Sequence, residues 1–123
     1  MPINFRQIKE DRRLLAARFP NCFAQPGGGH QKRPLKIAIH LDLFAVGVID
    51  DAGQPVPVWR LRRALNDYCW GVKYALALIH CDERINLDGQ PCGFVNEDTR
   101  EEARQRIAKH GWCLPQMTAM AAE

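Results

Sequence analysis

The stretch from Arg33 to Leu43, with the sequence RPLKIAIHLDL, constrains the fold more than any other part of this chain. A proline that stiffens the backbone is followed by a tight apolar block, and a cation lies on each side of the proline. The apolar residues fit both the alternation of a strand and one face of a helix, and periodicity over so few residues does not separate the two. We expect an extended entry at Arg33 to Lys36 and then a short helix to about Val46. The stretch contains no catalytic motif, but it would present Arg33 and Lys36 rigidly to an anionic partner.

A chain of 123 residues is most simply one domain, and its 46% apolar content is enough for a single core. No apolar run approaches the roughly 18 to 20 residues of a transmembrane helix, and the N-terminus carries charges where a signal peptide needs apolar residues. We therefore expect a cytoplasmic protein and, most simply, a monomer. The five cysteines are odd in number and scattered, which favours free thiols over a disulfide framework. They are Cys22, Cys69, Cys81, Cys92 and Cys113.

The net charge of +3 conceals a gradient along the chain. Residues 1–36 contain 8 cations and 2 anions, residues 37–76 contain 4 of each, and residues 77–123 contain 5 cations and 8 anions. A basic N-terminal part could bind a polyanion on one face, whereas charge alone would equally suit a solvated basic helix.

Proline, glycine and capping signals predict a mainly α-helical fold with one small β-hairpin, an α+β domain of about five helices. The clearest signal for the hairpin is the alternation of apolar residues around the turn at Asp88 and Gly89. The expected order is a helix over 4–19, a loop at 26–29, the helix to about residue 46, a turn at 50–55, helices over 57–69 and 72–80, a hairpin over 84–95, and a last helix over 96–109. The tail from Trp112 has too little periodicity to assign.

Enzyme-like sites find little support in the residue spacing. His80 and Cys81 are adjacent, and no CxxC or HxxxH pair is present, so a structural zinc site is not expected. No cysteine lies in a nucleophile motif, and the glycines at 27–29 lack the pattern of a phosphate-binding loop. Asp42, Asp88 and Asp98 have structural explanations, so no carboxylate pair is placed for acid and base catalysis. The prediction is a protein without enzymatic activity, cofactor or metal.

A set of cations with one tyrosine is the stronger candidate. Such a set combines groups that pair with phosphates and a ring that can stack on a base, as a nucleic-acid surface requires. Taken singly, each cation would more often be merely solvated, and the tyrosine, on an apolar helix, would more often be core. The set comprises Arg33, Lys36, Arg62, Arg63, Lys73, Tyr74 and Arg84.

An ordered series of short motifs resembles the ProQ/FinO family of bacterial RNA-binding proteins. The resemblance covers roughly residues 14–107, and its specificity lies in the order of the motifs, since each one alone is weak. The motifs are Arg18-Phe19-Pro20 with Cys22-Phe23, then Arg33-Pro34-Leu35-Lys36-Ile37 with Ile39 and Asp42-Leu43, then Leu61-Arg62 with Ala64-Leu65 and Tyr68, then Tyr74, then Arg84 with Leu87-Asp88-Gly89, Pro91 and Gly93.

The resemblance implies a compact FinO-like domain that binds structured RNA without chemistry, typically a hairpin followed by a single-stranded 3′ tail, as in small RNAs and terminators. Members act as RNA chaperones or in antisense and other post-transcriptional regulation. The resemblance implies that their concave basic surface corresponds here to Lys36, Arg62, Lys73, Tyr74 and Arg84. Lys36, Tyr74 and Arg84 would lie near the RNA 3′ end, and the resemblance supports a place for Asp42 near the same pocket less strongly. The single domain would have its core at about 14–107, an N-terminal helix extension at 1–13 and a C-terminal tail at 110–123.

The sequence also departs from the family. The helix opening at Pro55 to Val58 lacks the hydroxyl and lysine that members often place at this helix start, so contacts to duplex RNA are expected to be weaker. The alternative from another class is a protein-interaction adaptor that uses its apolar tail and whose basic face is incidental. A small hydrolase is a more distant alternative.

Overall fold

The computed structural model describes residues 4–24 and 32–112, which form five helices and a two-stranded antiparallel hairpin. This is the mainly α-helical fold with a small hairpin that the sequence predicted. In chain order the elements are α1 (Phe5–Arg18), α2 (Ile39–Val46), α3 (Val58–Cys69), α4 (Val72–His80), β1 (Glu83–Ile85), β2 (Pro91–Phe94) and α5 (Glu97–His110).

Helix α1 begins where its capping residue lies. The side-chain oxygen of Asn4 accepts a hydrogen bond from the Gln7 N–H at 3.0 Å, which satisfies one of the free amides of the first turn. Ile8 and Leu15 are buried on the face of α1 that packs against α3. The main buried cluster includes Leu15 and Ala16 of this helix, with Leu14 packed against it.

Helix α2 follows the extended entry that the sequence predicted. Leu35 forms an isolated parallel bridge with Ile85 of β1, so the entry lies beside the hairpin as a third short extended segment. The chain then turns through Ala38, whose φ of 63° lies in the left-handed region that L-residues other than glycine rarely adopt. This turn directs the start of α2 toward the middle of the molecule.

Helix α3 starts one residue later than its sequence suggested. Pro57 was expected in the first turn, but its ψ of 149° is extended, so it precedes the helix, and no side chain caps this end. The predicted apolar face is confirmed, because Leu61, Ala64, Leu65 and Tyr68 are all buried. These residues form the centre of one core with α1, α2, α4 and the hairpin.

The hairpin and α5 complete the fold. Glu83 pairs with Phe94 and Ile85 with Pro91, around the predicted turn at Gly89. Asn96 caps α5 by accepting from the Thr99 N–H at 2.8 Å, as its position predicted. Helix α5 then packs along α4.

Several predictions fall partly or wholly outside the described residues: the loop at 26–29, Cys113 and nearly all of the C-terminal tail. The four described cysteines are free thiols. Within residues 4–24 and 32–112, no helix has the length and apolar character needed to cross a membrane.

Candidate nucleic-acid interface

A cavity of about 300 Å³ opens where α2, α3, α4 and β1 meet. Three cationic side chains line it and no aspartate or glutamate does. A cavity with this lining attracts anions, since no carboxylate within it offsets the positive charge. Its lining residues are Leu35, Lys36, Ala38, Ile39, His40, Arg62, Leu65, Asn66, Cys69, Tyr74 and Arg84. Four of the predicted site residues are therefore brought together: Lys36, Arg62, Tyr74 and Arg84.

Tyr74 presents its hydroxyl group to the cavity rather than the face of its ring. The residue is only 6% exposed, and its ring packs edge-on against Tyr68. Its hydroxyl oxygen accepts a hydrogen bond from the Leu35 N–H at 3.0 Å and also bonds the Cys69 thiol. Burial raises the pKa of Tyr74 well above its ordinary value, so the hydroxyl stays protonated at neutral pH. A stacking role for this ring, one of the two roles suggested by the sequence, is not available in this conformation.

Arg84 is held in place by the backbone of the extended entry. Its Nη1 donates to the Leu35 carbonyl oxygen at 2.9 Å, while its buried Nε has no hydrogen-bond partner within the described residues. The guanidinium of Arg84 therefore lines the cavity in a position fixed by the backbone, and its charge favours an oxyanion there.

Lys36 is oriented by Asp42 from the first turn of α2. Their Nζ and Oδ2 atoms are 2.9 Å apart, and each side chain is about one-third exposed. The hydrogen bond to Asp42 raises the pKa of Lys36, so this side chain is cationic at any physiological pH. Asp42 itself does not line the cavity and serves here as a positioning group for Lys36.

The start of α2 contributes residues that the sequence did not single out. Ala38 and His40 line the cavity, and so does Asn66 from α3. The N-terminal end of a helix carries partial positive charge on its free amides, which adds to the attraction for an anion. The left-handed turn at Ala38 that aims this end into the cavity leaves no mark in the local sequence.

Lys32 is a further cation that sequence reasoning missed. Its Nζ lies 4.5 Å from the centre of the Tyr68 ring and donates to the Tyr68 carbonyl at 2.8 Å. Burial, and then the nearby Arg12, lower the pKa of Lys32 to about 8; Cys69 and Asp67 oppose this, and Lys73 adds to it. The predicted site residue Lys73 is exposed, lies within electrostatic range of Lys32 and does not line the cavity.

Two predicted site residues lie away from the cavity. Arg33 donates to the Asn21 carbonyl at 2.6 Å, beside the hairpin turn. Arg63 lies against α1, where it donates to the Gln7 side chain at 2.6 Å and its guanidinium lies 5.0 Å from the Trp59 ring. Adjacent positions on α3 therefore face different surroundings: Arg62 toward the cavity and Arg63 toward α1.

Two of the five cations of the N-terminal helix are neutralised by ion pairs, while Arg6, Lys9 and Arg13 are exposed and have no ion-pair partner within the described residues. Arg12 pairs with Asp67 at 2.9 Å, and Arg18 pairs with Asp51 at 3.3 Å. Asp11, only 2% exposed, pairs with Arg60 at 2.6 Å, and this ion pair raises the pKa of Arg60. A second cavity of about 420 Å³ on this side is lined by four carboxylates and two arginines. The described residues thus hold two groups of cations without a full set of acidic partners, one at the cavity beside α2 and one on the exposed face of α1.

Two solved structures resemble this fold. One is the solution structure of a ProQ homolog from Legionella pneumophila, with a TM-score of 0.69 and 26% sequence identity, over 94% of this chain and 93% of that one. The other is a crystal structure from Neisseria meningitidis described as a FinO-like RNA chaperone, with a TM-score of 0.59 and 19% identity, over 81% of this chain and 73% of that one. At 19% identity, this second comparison shows a shared fold only. The model of the ProQ/FINO family matches residues 5–111, and since this is most of the chain, the protein belongs to the ProQ/FINO family.

Proposed function

We propose that this protein is an RNA-binding protein and RNA chaperone that recognises a hairpin with a single-stranded 3′ tail and has no enzymatic activity. The observation that carries the proposal is the cavity lined by Lys36, Arg62 and Arg84 without a carboxylate. Membership of the ProQ/FINO family and the fold shared with a FinO-like RNA chaperone support the same function.

The size and chemistry of the cavity suit the end of an RNA chain. A volume of about 300 Å³ is at the lower limit for small-molecule sites, so it fits a terminal nucleotide rather than the groove of a duplex. The Arg84 guanidinium lines the cavity and can donate to a phosphate oxygen, and the Tyr74 hydroxyl oxygen can accept a hydrogen bond from a ribose hydroxyl. A-form RNA hides its base edges in a deep, narrow groove, so recognition through phosphates and 2′-hydroxyls is the expected mode.

Contacts to the paired stem would then come from outside the cavity. Two candidates are Lys32, which lies within electrostatic range of the cavity-lining Cys69, and Lys73, which lies within electrostatic range of Lys32. Such contacts would be made to phosphates and would not depend on the base sequence. One protein could therefore bind several structured RNAs in post-transcriptional or antisense regulation.

Fluorescence anisotropy at moderate salt tests the proposal. We expect tighter binding to a hairpin RNA with a 3′ single-stranded tail than to duplex DNA of equal length. Arg84→Ala should weaken binding to the tailed hairpin by about 1–3 kcal/mol, because it removes a charged hydrogen-bond donor. Arg104→Ala is the matched control, since this arginine lies on α5 and pairs with Glu97 and Glu101. Equal affinity for the two nucleic acids would refute the proposal and favour a protein-binding adaptor.

A further inference from the structure

An aromatic cluster lies at the junction of α3 and α4, next to the end of α5. Trp70 packs edge-on against His110 at 5.0 Å and against Trp112 at 5.4 Å, measured between ring centroids. His110 stacks on Trp112 at 4.8 Å with an angle of 16° between the ring planes. Trp70 is nonetheless 54% exposed, whereas Trp112 is partly buried against the core, so Trp70 presents most of the exposed aromatic surface.

The cluster is cationic at its edge. The guanidinium of Arg106 lies 6.0 Å from the centre of the Trp70 ring. Arg106 and Lys109 have no carboxylate partner within the described part of the chain, whereas Arg100 and Arg104 on the same helix pair with acids. The C-terminal end of α5 therefore has net positive charge around exposed rings, and its N-terminal end carries the acids.

The cluster is also continuous with the cavity. Cys69 lines the cavity, and the next residue in the chain is Trp70. Burial raises the pKa of the Cys69 thiol, while its bond from Tyr74 and the charges of Lys32, Arg106 and Arg12 oppose that rise. Arg106 thus lies within electrostatic range of the cavity wall at Cys69.

We propose that Trp70, Trp112 and Arg106 form a second RNA contact site, which stacks unpaired bases of the RNA whose end occupies the cavity. The inference rests on the proposed RNA-binding function and extends it to a single-stranded flank. An exposed ring such as Trp70, supported by a second ring and bordered by unpaired cations, suits a sequence-tolerant site for single strands, because every base has a face to stack and a phosphate beside it. A protein partner that docked on an apolar patch would have no need for these cations.

The test compares two RNAs that differ only in a flank. One is a hairpin with a short 3′ tail, and the other carries an added 5′ single-stranded extension of about eight nucleotides. We expect the extension to strengthen binding to the unaltered protein about fivefold or more. Trp70→Ala and Trp112→Ala should each remove most of that gain and leave the affinity for the short RNA within about twofold of the unaltered protein. Trp59→Ala is the matched control, since Trp59 is 59% exposed but lies beside Arg63 on the α1 side.

A second measurement leaves the cluster intact. Trp59→Phe removes the indole outside the cluster, so the fluorescence of the remaining tryptophans reports on Trp70 and Trp112. The extended RNA should quench this fluorescence more than the short RNA does. If the extension adds no affinity and no quenching while the tailed hairpin still binds better than duplex DNA, the aromatic site is refuted and the RNA-binding function stands. If the tailed hairpin shows no preference at all, the proposed function itself fails.

Discussion

Two buried tyrosines, Tyr68 and Tyr74, pack in a T-shaped arrangement in this core, and only Tyr74 lines the cavity. The Tyr68 hydroxyl accepts from the Ala24 N–H at 3.0 Å, and the Tyr74 hydroxyl accepts from the Leu35 N–H at the same distance. Alanine at either position would open a large cavity in the core and cost about 3–5 kcal/mol, so it would report on folding rather than binding. Phenylalanine removes the hydroxyl alone.

Tyr74→Phe and Tyr68→Phe should each lower the free energy of unfolding by about 1–2 kcal/mol, because each leaves a buried backbone N–H without its acceptor. Urea denaturation measures this loss. Only Tyr74→Phe should also weaken binding to a tailed hairpin RNA in anisotropy titrations, since only its hydroxyl borders the cavity. Equal RNA affinity for the two variants would remove Tyr74 from the proposed site.

Lys32 gives the stability of the protein a specific dependence on pH. Its folded pKa of about 8 is below the ordinary value of 10.5, because burial and then Arg12 disfavour the charged form. Because the pKa of Lys32 is lowered in the folded protein, the unfolded chain binds more protons than the folded protein between about pH 8 and pH 10.5. The free energy of unfolding therefore rises as the pH increases through this range and falls as the pH decreases.

Lys32→Met should therefore change the relative stabilities in a pH-dependent way. Between pH 7 and pH 9, the unaltered protein should gain about 1 kcal/mol of unfolding free energy relative to the variant, a value reduced for partial solvent exposure. Urea denaturation at several pH values measures the difference. The groups facing Lys32, namely Arg12, Asp67, Cys69 and Lys73, are the same in both proteins. Lys9→Met on the exposed face of α1 serves as the control, and a similar pH trend there would contradict the assignment.

At the level of elements, the hairpin turn is tied to the end of α1. A Cβ atom added at Gly89 would lie 2.6 Å from the Asn21 carbonyl oxygen, and the φ of Gly89 is +80°. Gly53, in the turn before α3, has the same φ of +80° but no atom within 4 Å of such a Cβ. The two glycines thus share one backbone strain and differ in one steric contact.

Gly53→Ala should cost about 1–2 kcal/mol of unfolding free energy from the left-handed conformation alone. Gly89→Ala should cost a further 1–3 kcal/mol or so, because the backbone of Asn21 or the turn must move. Chemical denaturation of the two variants gives the difference directly. If both variants lose the same free energy of unfolding, the expected clash between a Cβ at position 89 and the Asn21 backbone does not occur.

Most of the elements were predictable because their signals are local. The cap at Asn96, the Asp88-Gly89 turn and the break at Trp70-Gly71 each depend on a few neighbouring residues, and the structure follows them. Asn4, which the sequence placed inside the first helix, is its N-cap. Pro57 was misplaced by one residue because proline suits both the N-cap and the first turn. The extended entry with a short helix was inferred correctly where periodicity alone was ambiguous.

The candidate site was less predictable because it depends on which way side chains point in the folded protein, and local sequence patterns do not determine this. Arg62 and Arg63 are equivalent as sequence, but the packing of α3 on α1 points only Arg63 away from the cavity. Whether the Tyr74 ring would be buried depended on Tyr68 and Leu35, which are distant in sequence. Lys32 and His40 lie beside and within the 33–43 stretch but are not themselves motif residues, so only the fold shows that they belong to this region.

For the molecule as a whole, ion pairing decides which cations are available. The net charge of +3 is modest, and several arginines of α1 and α3 are paired with Asp11, Asp51 and Asp67. Arg62 is exposed, lines the cavity and has no ion-pair partner within residues 4–24 and 32–112. Arg62 is thus an available cation at the cavity, and Arg6, Lys9 and Arg13 are available cations on α1, so binding experiments must distinguish the two faces.

The salt dependence of RNA binding should show which arginines contact RNA phosphates. Each phosphate contact releases counterions, so the logarithm of the affinity falls linearly with the logarithm of the salt concentration. Arg62→Ala should reduce the steepness of that fall by roughly one unit and weaken binding at low salt, because one phosphate contact is lost. Arg63→Ala, one position along the same helix, should leave the steepness unchanged, since its guanidinium lies among Gln7, Asp11 and Trp59. Anisotropy titrations of one tailed hairpin over a range of salt concentrations measure both variants. If Arg63→Ala changed the slope as much as Arg62→Ala, the RNA would have to cover the α1 side of the molecule, and the cavity would not be the centre of the interface.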